Sequence, residues 1–118
     1  MKTSELTGAA LDWAVAKCEG YVGRGAVKIY GDRICTPTAS GTASTYAPST
    51  DWAQGGPIIE REGVEVSPDW VDSLWRGYLS GQNITAYGPT PLIAAMRCYV
   101  ASKLGDEVDV PEELTHTR

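Results

Sequence analysis

Phenylalanine is absent from this chain of 118 residues, histidine occurs once, and only three cysteines are present. Each scarcity removes a class of function. One histidine, His116, and the widely separated Cys18, Cys35 and Cys98, with no CxxC among them, do not make up a zinc set. No metal site is expected. A Ser/His/Asp or Cys/His arrangement would need the chain end that carries His116 to fold back over the domain, so no catalytic residues are assigned and the protein is read as a non-enzyme. The acids Glu60 and Glu62 stand one residue apart, a spacing common on surfaces. Gly55-Gly56-Pro57 lacks the lysine and the preceding strand that a phosphate loop requires, and no cofactor is expected.

Long apolar runs are also missing. None approaches the ~18 residues of a membrane span, and no signal peptide precedes Thr3. The expected setting is the reducing cytosol, where a free Cys among apolar helical positions acts as a small hydrophobe. Positive charge is thin and forms no stripe. General affinity for nucleic acid, or for an anionic membrane, is therefore not expected. The formal charge is −5, of which residues 105–118 carry −4, leaving the body at −1.

What is present fits one small domain: 42% hydrophobic residues, 21% charged, and enough chain for a single core. Four Trp and six Tyr supply the aromatic surface that Phe does not. Their polar tips suit them to core edges and binding clefts.

Leu11, Ala14, Val15 and Cys18 recur on one helical face and predict a helix over Thr7–Glu19. Thr7 is the expected cap, Leu6 a hydrophobic staple on Leu11, and Gly20 the stop. Ala26–Tyr30 reads as a strand that continues through Ile34 with a turn or bulge at Gly31-Asp32. Residues 36–50, almost all Thr, Ser, Ala, Pro and Gly, read as a long loop. A brief helical turn is expected over Thr50–Gln54 with Ser49 as cap, ending at Gly55-Gly56. A second follows over Ile58–Glu62 with Gly63 as stop, and a strand from Ile58 competes with it. Val64–Val66 alternates as a strand. Residues 69–79 fit either a helix or an aromatic-rich strand around Trp75, with the strand preferred. Gly81–Asn83 is a turn and Ile84–Tyr87 extended. The clearest element is a helix from Thr90, its cap, through Pro91 at the first position to Leu104, with Gly105 beyond it. Val108, Val110 and Pro111 are expected to run back along the core.

The implied fold class is α+β, a small antiparallel sheet packed against an N-terminal and a C-terminal helix. Residues 1–111 form one domain, and 112–118 an acidic flexible tail.

Two constellations offer recognition chemistry. In Asp51-Trp52-Ala53-Gln54-Gly55-Gly56-Pro57, Asp51 caps or pairs with a cation, Trp52 offers a stacking face and Gln54 both donates and accepts. The glycines allow a close approach, by a ligand or simply by a turn of the chain. The other is Arg97, a guanidinium inside an apolar helix, which is costly unless paired. Its expected partner is a carboxylate, Asp51 or Asp12; the alternative is an anionic or nucleobase ligand, aided by free amides near Thr90.

Three blocks then carry a family resemblance: MKTSELTGAALDWAVAKCEG at the start, STDWAQGGPIIEREGV in the middle and GPTPLIAAMRCYVASKLGDEVDVP towards the end. Together they resemble the NinX-like proteins of lambda-like bacteriophages. The resemblance implies a small accessory protein made in the host bacterial cytoplasm, and brings no catalytic residues with it. Two functions suit such a protein. One is sequestration of a nucleotide-like host immune signal, with Trp52, Trp75 or Tyr87 stacking on a base, Arg97 and the Thr90 helix end holding phosphate, and a homo-oligomer enclosing the ligand. The other is inhibition of a host protein through the 36–50 loop or the acidic tail.

Overall fold

The computed structural model describes residues 1–38 and 40–115. Helix α1 spans Gly8–Cys18, and its seven residues from Ala10 to Ala16 are all buried. Thr7 sits at its N-cap with extended backbone but makes no side-chain cap bond. At the other end Gly20, at φ +91°, closes the helix. Its amide bonds to Lys17 O, and the amide of Tyr21 reaches Ala16 O. These are the two bonds of a Schellman stop, which needs the left-handed residue that Gly20 supplies. Leu6 and Leu11 are both fully buried in the same core.

Two sheets follow where one was expected. The first is antiparallel, in the order β1 (Lys28–Tyr30), β2 (Arg33–Pro37), β3 (Ala43–Thr45). Gly31-Asp32 is the two-residue turn between Tyr30 and its partner Arg33. Strand β3 lies inside the segment read as loop. Its three residues are all exposed, so no apolar alternation marks it, and it forms by pairing Thr45 with Cys35 and Ser44 with Thr36.

Helix α2 runs without a break over Trp52–Glu62. The two short turns expected on either side of Gly55-Gly56 are one helix, and the competing strand from Ile58 does not form. Asp51, rather than Ser49, is the cap, its Oδ1 accepting from the Ala53 amide at 3.0 Å. Gly63 ends the helix in the left-handed region. Gly55 serves packing: a Cβ there would lie 2.7 Å from Leu92 Cδ2 and closer still to the Pro48 carbonyl.

The second sheet is a meander of β4 (Glu65–Asp69), β5 (Leu74–Leu79) and β6 (Ile84–Gly88). Residues 74–79 are thus a strand. The sheet lies flat on helix α3 (Pro91–Leu104), because Gly77 and Gly88 present bare backbone to it. A Cβ at Gly77 would stand 2.7 Å from Ala94 O, and one at Gly88 2.8 Å from Ala94 N. Alternation places Trp75 on the same inner face and Leu74, Arg76, Tyr78 and Tyr87 on the outer one.

Helix α3 is the centre of the molecule, packed by the second sheet, by α1 and by α2. Thr90 Oγ1 accepts from the Ile93 amide at 3.1 Å, and Pro91 takes the first turn. Eight residues between Leu92 and Val100 are buried. The two chain ends then pair: Thr3 N donates to Asp106 O at 2.8 Å, and Met1 and Val108 exchange backbone bonds. Val108 is buried and Val110 packs against the core. Glu112–Leu114 forms a 3-10 turn with Leu114 against the core. His116 and the rest of the expected acidic tail lie outside the described residues. Among the described residues, no helix is long and apolar enough to cross a membrane.

Candidate functional site

Arg97 sits at the middle of α3, half-buried, on the side that meets β6 and the N-terminal segment. Its Nε donates to Leu6 O and its Nη1 to Tyr87 O, each at 2.8 Å. Neither expected carboxylate reaches it. Asp51 is engaged as the cap of α2, and Asp12, buried in α1, accepts the Ser49 amide at 2.9 Å. Ion pairs among the described residues join Arg61 and Lys103 to Glu19 and Glu62, and none includes Arg97. Burial alone lowers the Arg97 pKa, with no anion opposing it. Two carbonyl dipoles satisfy part of the fork and leave the guanidinium without an ion-pair partner among the described residues.

That charge faces a groove of about 580 Å³. One wall is β6 with the following Pro89. The other is the paired chain ends, residues 2–4 and 106–107, while Arg97 and Ala101 of α3 lie between. Leu74 and Tyr87 bring apolar surface, and Lys2, Asp106 and Glu107 bring charge. Tyr87 is 44% exposed. A planar, partly apolar anion matches these groups: ring against ring, anionic group against guanidinium.

Of the residues singled out from sequence, only Tyr87 and Arg97 meet there. Trp75 lies half-buried on the inner face of its strand. Thr90 is occupied as the cap of α3. Trp52 is exposed at the start of α2. Gln54 spans two backbone groups, accepting from Ala47 N at 2.7 Å and donating to Thr45 O at 3.1 Å. It thereby ties β3 to α2. Gly55 is filled by its neighbours, and Gly56 continues the helix.

A second polar cluster escaped the sequence. Arg61 grips Glu19 through Nη1 and Nη2 at 3.1 and 2.6 Å, and the Tyr99 hydroxyl donates to the same carboxylate. Burial pushes the Glu19 carboxyl up, but the bonds from Arg61 and Tyr99 outweigh it and hold it below its ordinary value. The cluster joins α1, α2 and α3, with Tyr46 and Gln54 beside it in a cleft of about 330 Å³. Nothing local to Glu19 or Arg61 distinguishes them from surface charges 42 residues apart. Burial also raises the Cys18 thiol to about 12 and the Cys98 thiol to about 11, which keeps both protonated and poorly nucleophilic.

Among the described residues, three α-helices and two three-stranded antiparallel sheets, with a groove along one sheet edge, define a small α+β domain. The family model described as "Bacteriophage P22, NinX" matches residues 2–103. The chain belongs to that family and is a phage accessory protein. The match runs from Lys2 to Lys103 and takes in the groove apart from Asp106 and Glu107. No curated protein matches the chain.

Proposed function

We propose that this phage accessory protein acts without catalysis, by holding a small nucleotide-like anion of the host in the β6 groove and so sequestering an immune signal. The observation that carries this reading is the half-buried Arg97, held by two carbonyls and by no carboxylate among the described residues. A phosphate supplies the direct ion-pair partner that no carboxylate among the described residues does, and the planar fork suits it. Tyr87 beside it offers a face for a base, an interaction of about 1–3 kcal/mol where bases stack on aromatic residues. Calorimetry of the purified chain against cyclic nucleotides and ADP-ribose derivatives tests the reading. The expected result is saturable heat with at least one of them, and roughly tenfold weaker binding by Tyr87→Ala, since a lost stack of about 1.4 kcal/mol is tenfold in affinity. No heat with any member of the panel contradicts it.

One observation favours a second reading, blockade of a host protein. Trp70 and Val71, at the tip of the β4–β5 hairpin, are 84% and 91% exposed. Asp69 Oδ1 accepts from the amides of Val71 and Asp72, and Ser73 turns back at φ +58°, so the tip is held in one shape. An indole presented this way suits an apolar slot on a partner, where Trp is often a hot spot. Capture of a host protein by the wild type, lost with Trp70→Ser, supports this reading. Identical capture by both chains contradicts it.

A further inference from the structure

The charges around the β6 groove restrict which anion it can hold. Two positive groups line it, Lys2 and Arg97, and two negative ones, Asp106 and Glu107. Lys2, Asp106 and Glu107 are exposed on the rim, while Arg97 is half-buried between the walls. Formal charges therefore cancel. A ligand that brings one negative charge finds one guanidinium near it. Any further charge meets the remaining ionised groups, Lys2 against Asp106 and Glu107, which together sum to −1.

Donor supply leads to the same limit. Arg97 spends Nε on Leu6 O and Nη1 on Tyr87 O, and Nη2 makes no hydrogen bond among the described residues. The α3 N-terminus, the fold's ready anion site, has its Ile93 amide bonded to Thr90, and Thr90 does not line the groove. A polyphosphate needs several converging donors or a metal, whereas one phosphodiester needs little more than one fork edge and an ammonium.

We infer that the groove selects singly charged nucleotides, a base joined to one phosphodiester, and discriminates against nucleoside mono-, di- and triphosphates with free phosphate ends. This rests on the proposed capture of a nucleotide-like anion and narrows its class. The body of such a ligand lies against Tyr87 and Leu74, and its phosphodiester against Arg97 Nη2 and Lys2. Asp106 and Glu107 act as selectivity residues by repelling a second charge.

The experiment is calorimetry on the full chain at low salt with 3′,5′-cyclic AMP, AMP, ADP and ATP. Cyclic AMP is expected to bind most tightly, with each added charge weakening affinity roughly fivefold, the effect of about 1 kcal/mol between close charges in water. In a rim variant, Asp106→Asn with Glu107→Gln, the gap between cyclic AMP and AMP is expected to close. Both side chains are exposed, and the bond that Asp106 gives to Thr3 is through its backbone, so the fold does not depend on either carboxylate. AMP, ADP or ATP binding as tightly as cyclic AMP to the wild type overturns the selectivity and leaves capture of a nucleotide standing. An unchanged gap in the rim variant also overturns it. Heat from none of the four, and from no other nucleotide of the wider panel, removes both.

Discussion

At the scale of single residues, two buried charges behave in opposite ways. Arg97 joins β6 to the end of the first 3-10 turn (Thr3–Glu5) through the Tyr87 and Leu6 carbonyls. A lysine keeps the charge but not the planar fork, so Arg97→Lys is expected to destabilise the fold by about 1–3 kcal/mol in urea unfolding. An unchanged midpoint would show that the two bonds contribute little. Asp12 lies inside α1 with only Ser49 as partner, and the Ser49 hydroxyl is itself buried without one. Burial raises its carboxyl from 3.8 to about 6, with the bond from the Ser49 amide pulling it back only in part. A carboxyl raised in the folded state binds its proton first there. Its contribution to stability is thus greatest below 3.8 and is lost as pH rises through about 6. Asp12→Asn is expected to raise the melting temperature at pH 7, by the equivalent of about 1–3 kcal/mol, and to flatten the profile between pH 4 and 7. Glu19 works with the other sign: its pKa is lowered, so its contribution is present above its unfolded value and is lost on acidification.

Among the elements, α2 shows how packing overrides local preference. A Gly-Gly-Pro run disfavours a helix interior, and by propensity alone it marks a stop. The chain continues as helix because the element passes against Pro48 and Leu92, where only a glycine fits at position 55. The neighbouring glycine has no such duty: a Cβ at Gly56 meets only Trp52, at 3.9 Å. Opposite outcomes are therefore expected from the same substitution. Gly55→Ala should lower stability by about 1–3 kcal/mol through overpacking, and Gly56→Ala should raise it by about 0.5–1 kcal/mol through helix propensity. Paired thermal melts of the two variants check this, and equal shifts would contradict the packing account. Where signals were local, the sequence was sufficient. Thr90, Pro91 and Gly105 bracket α3 and Gly20 stops α1, whereas residues 69–79 fit a helix as well as the preferred strand, and pairing with β4 and β6 decides for β5. Strand β3, exposed throughout and built of Ala, Ser and Thr, carries no apolar pattern, and only its partner β2 makes it a strand.

For the whole molecule, the α+β class follows from the order of periodic segments, but the groove does not. Its walls come from residues 2–4, 74, 85–89, 97, 101 and 106–107, so both ends of the chain help to build it. Reading Arg97 as unusual needed only its apolar neighbours in α3. Finding what surrounds it needed the pairing of Thr3 with Asp106, which no spacing in the sequence encodes. The same closure has a stability consequence. Thr3 is buried and its Oγ1 donates to Gly105 O at 2.6 Å, so Thr3→Val is expected to cost about 1–2 kcal/mol by leaving that carbonyl unpaired. Chemical denaturation measures it, and a neutral substitution would mean that water takes the vacated bond.

Binding of a small nucleotide-like anion beside Arg97 and Tyr87 can be seen by two-dimensional NMR of the labelled chain titrated with cyclic AMP. Saturable shifts are expected at the Arg97 side-chain Nε–H and at the amides of Lys2, Leu74, Tyr87 and Gly88, with those of Trp52, Gln54 and Trp70 unmoved. Shifts confined to Trp52 and Gln54, or to Trp70, would contradict it, as would a spectrum that does not change.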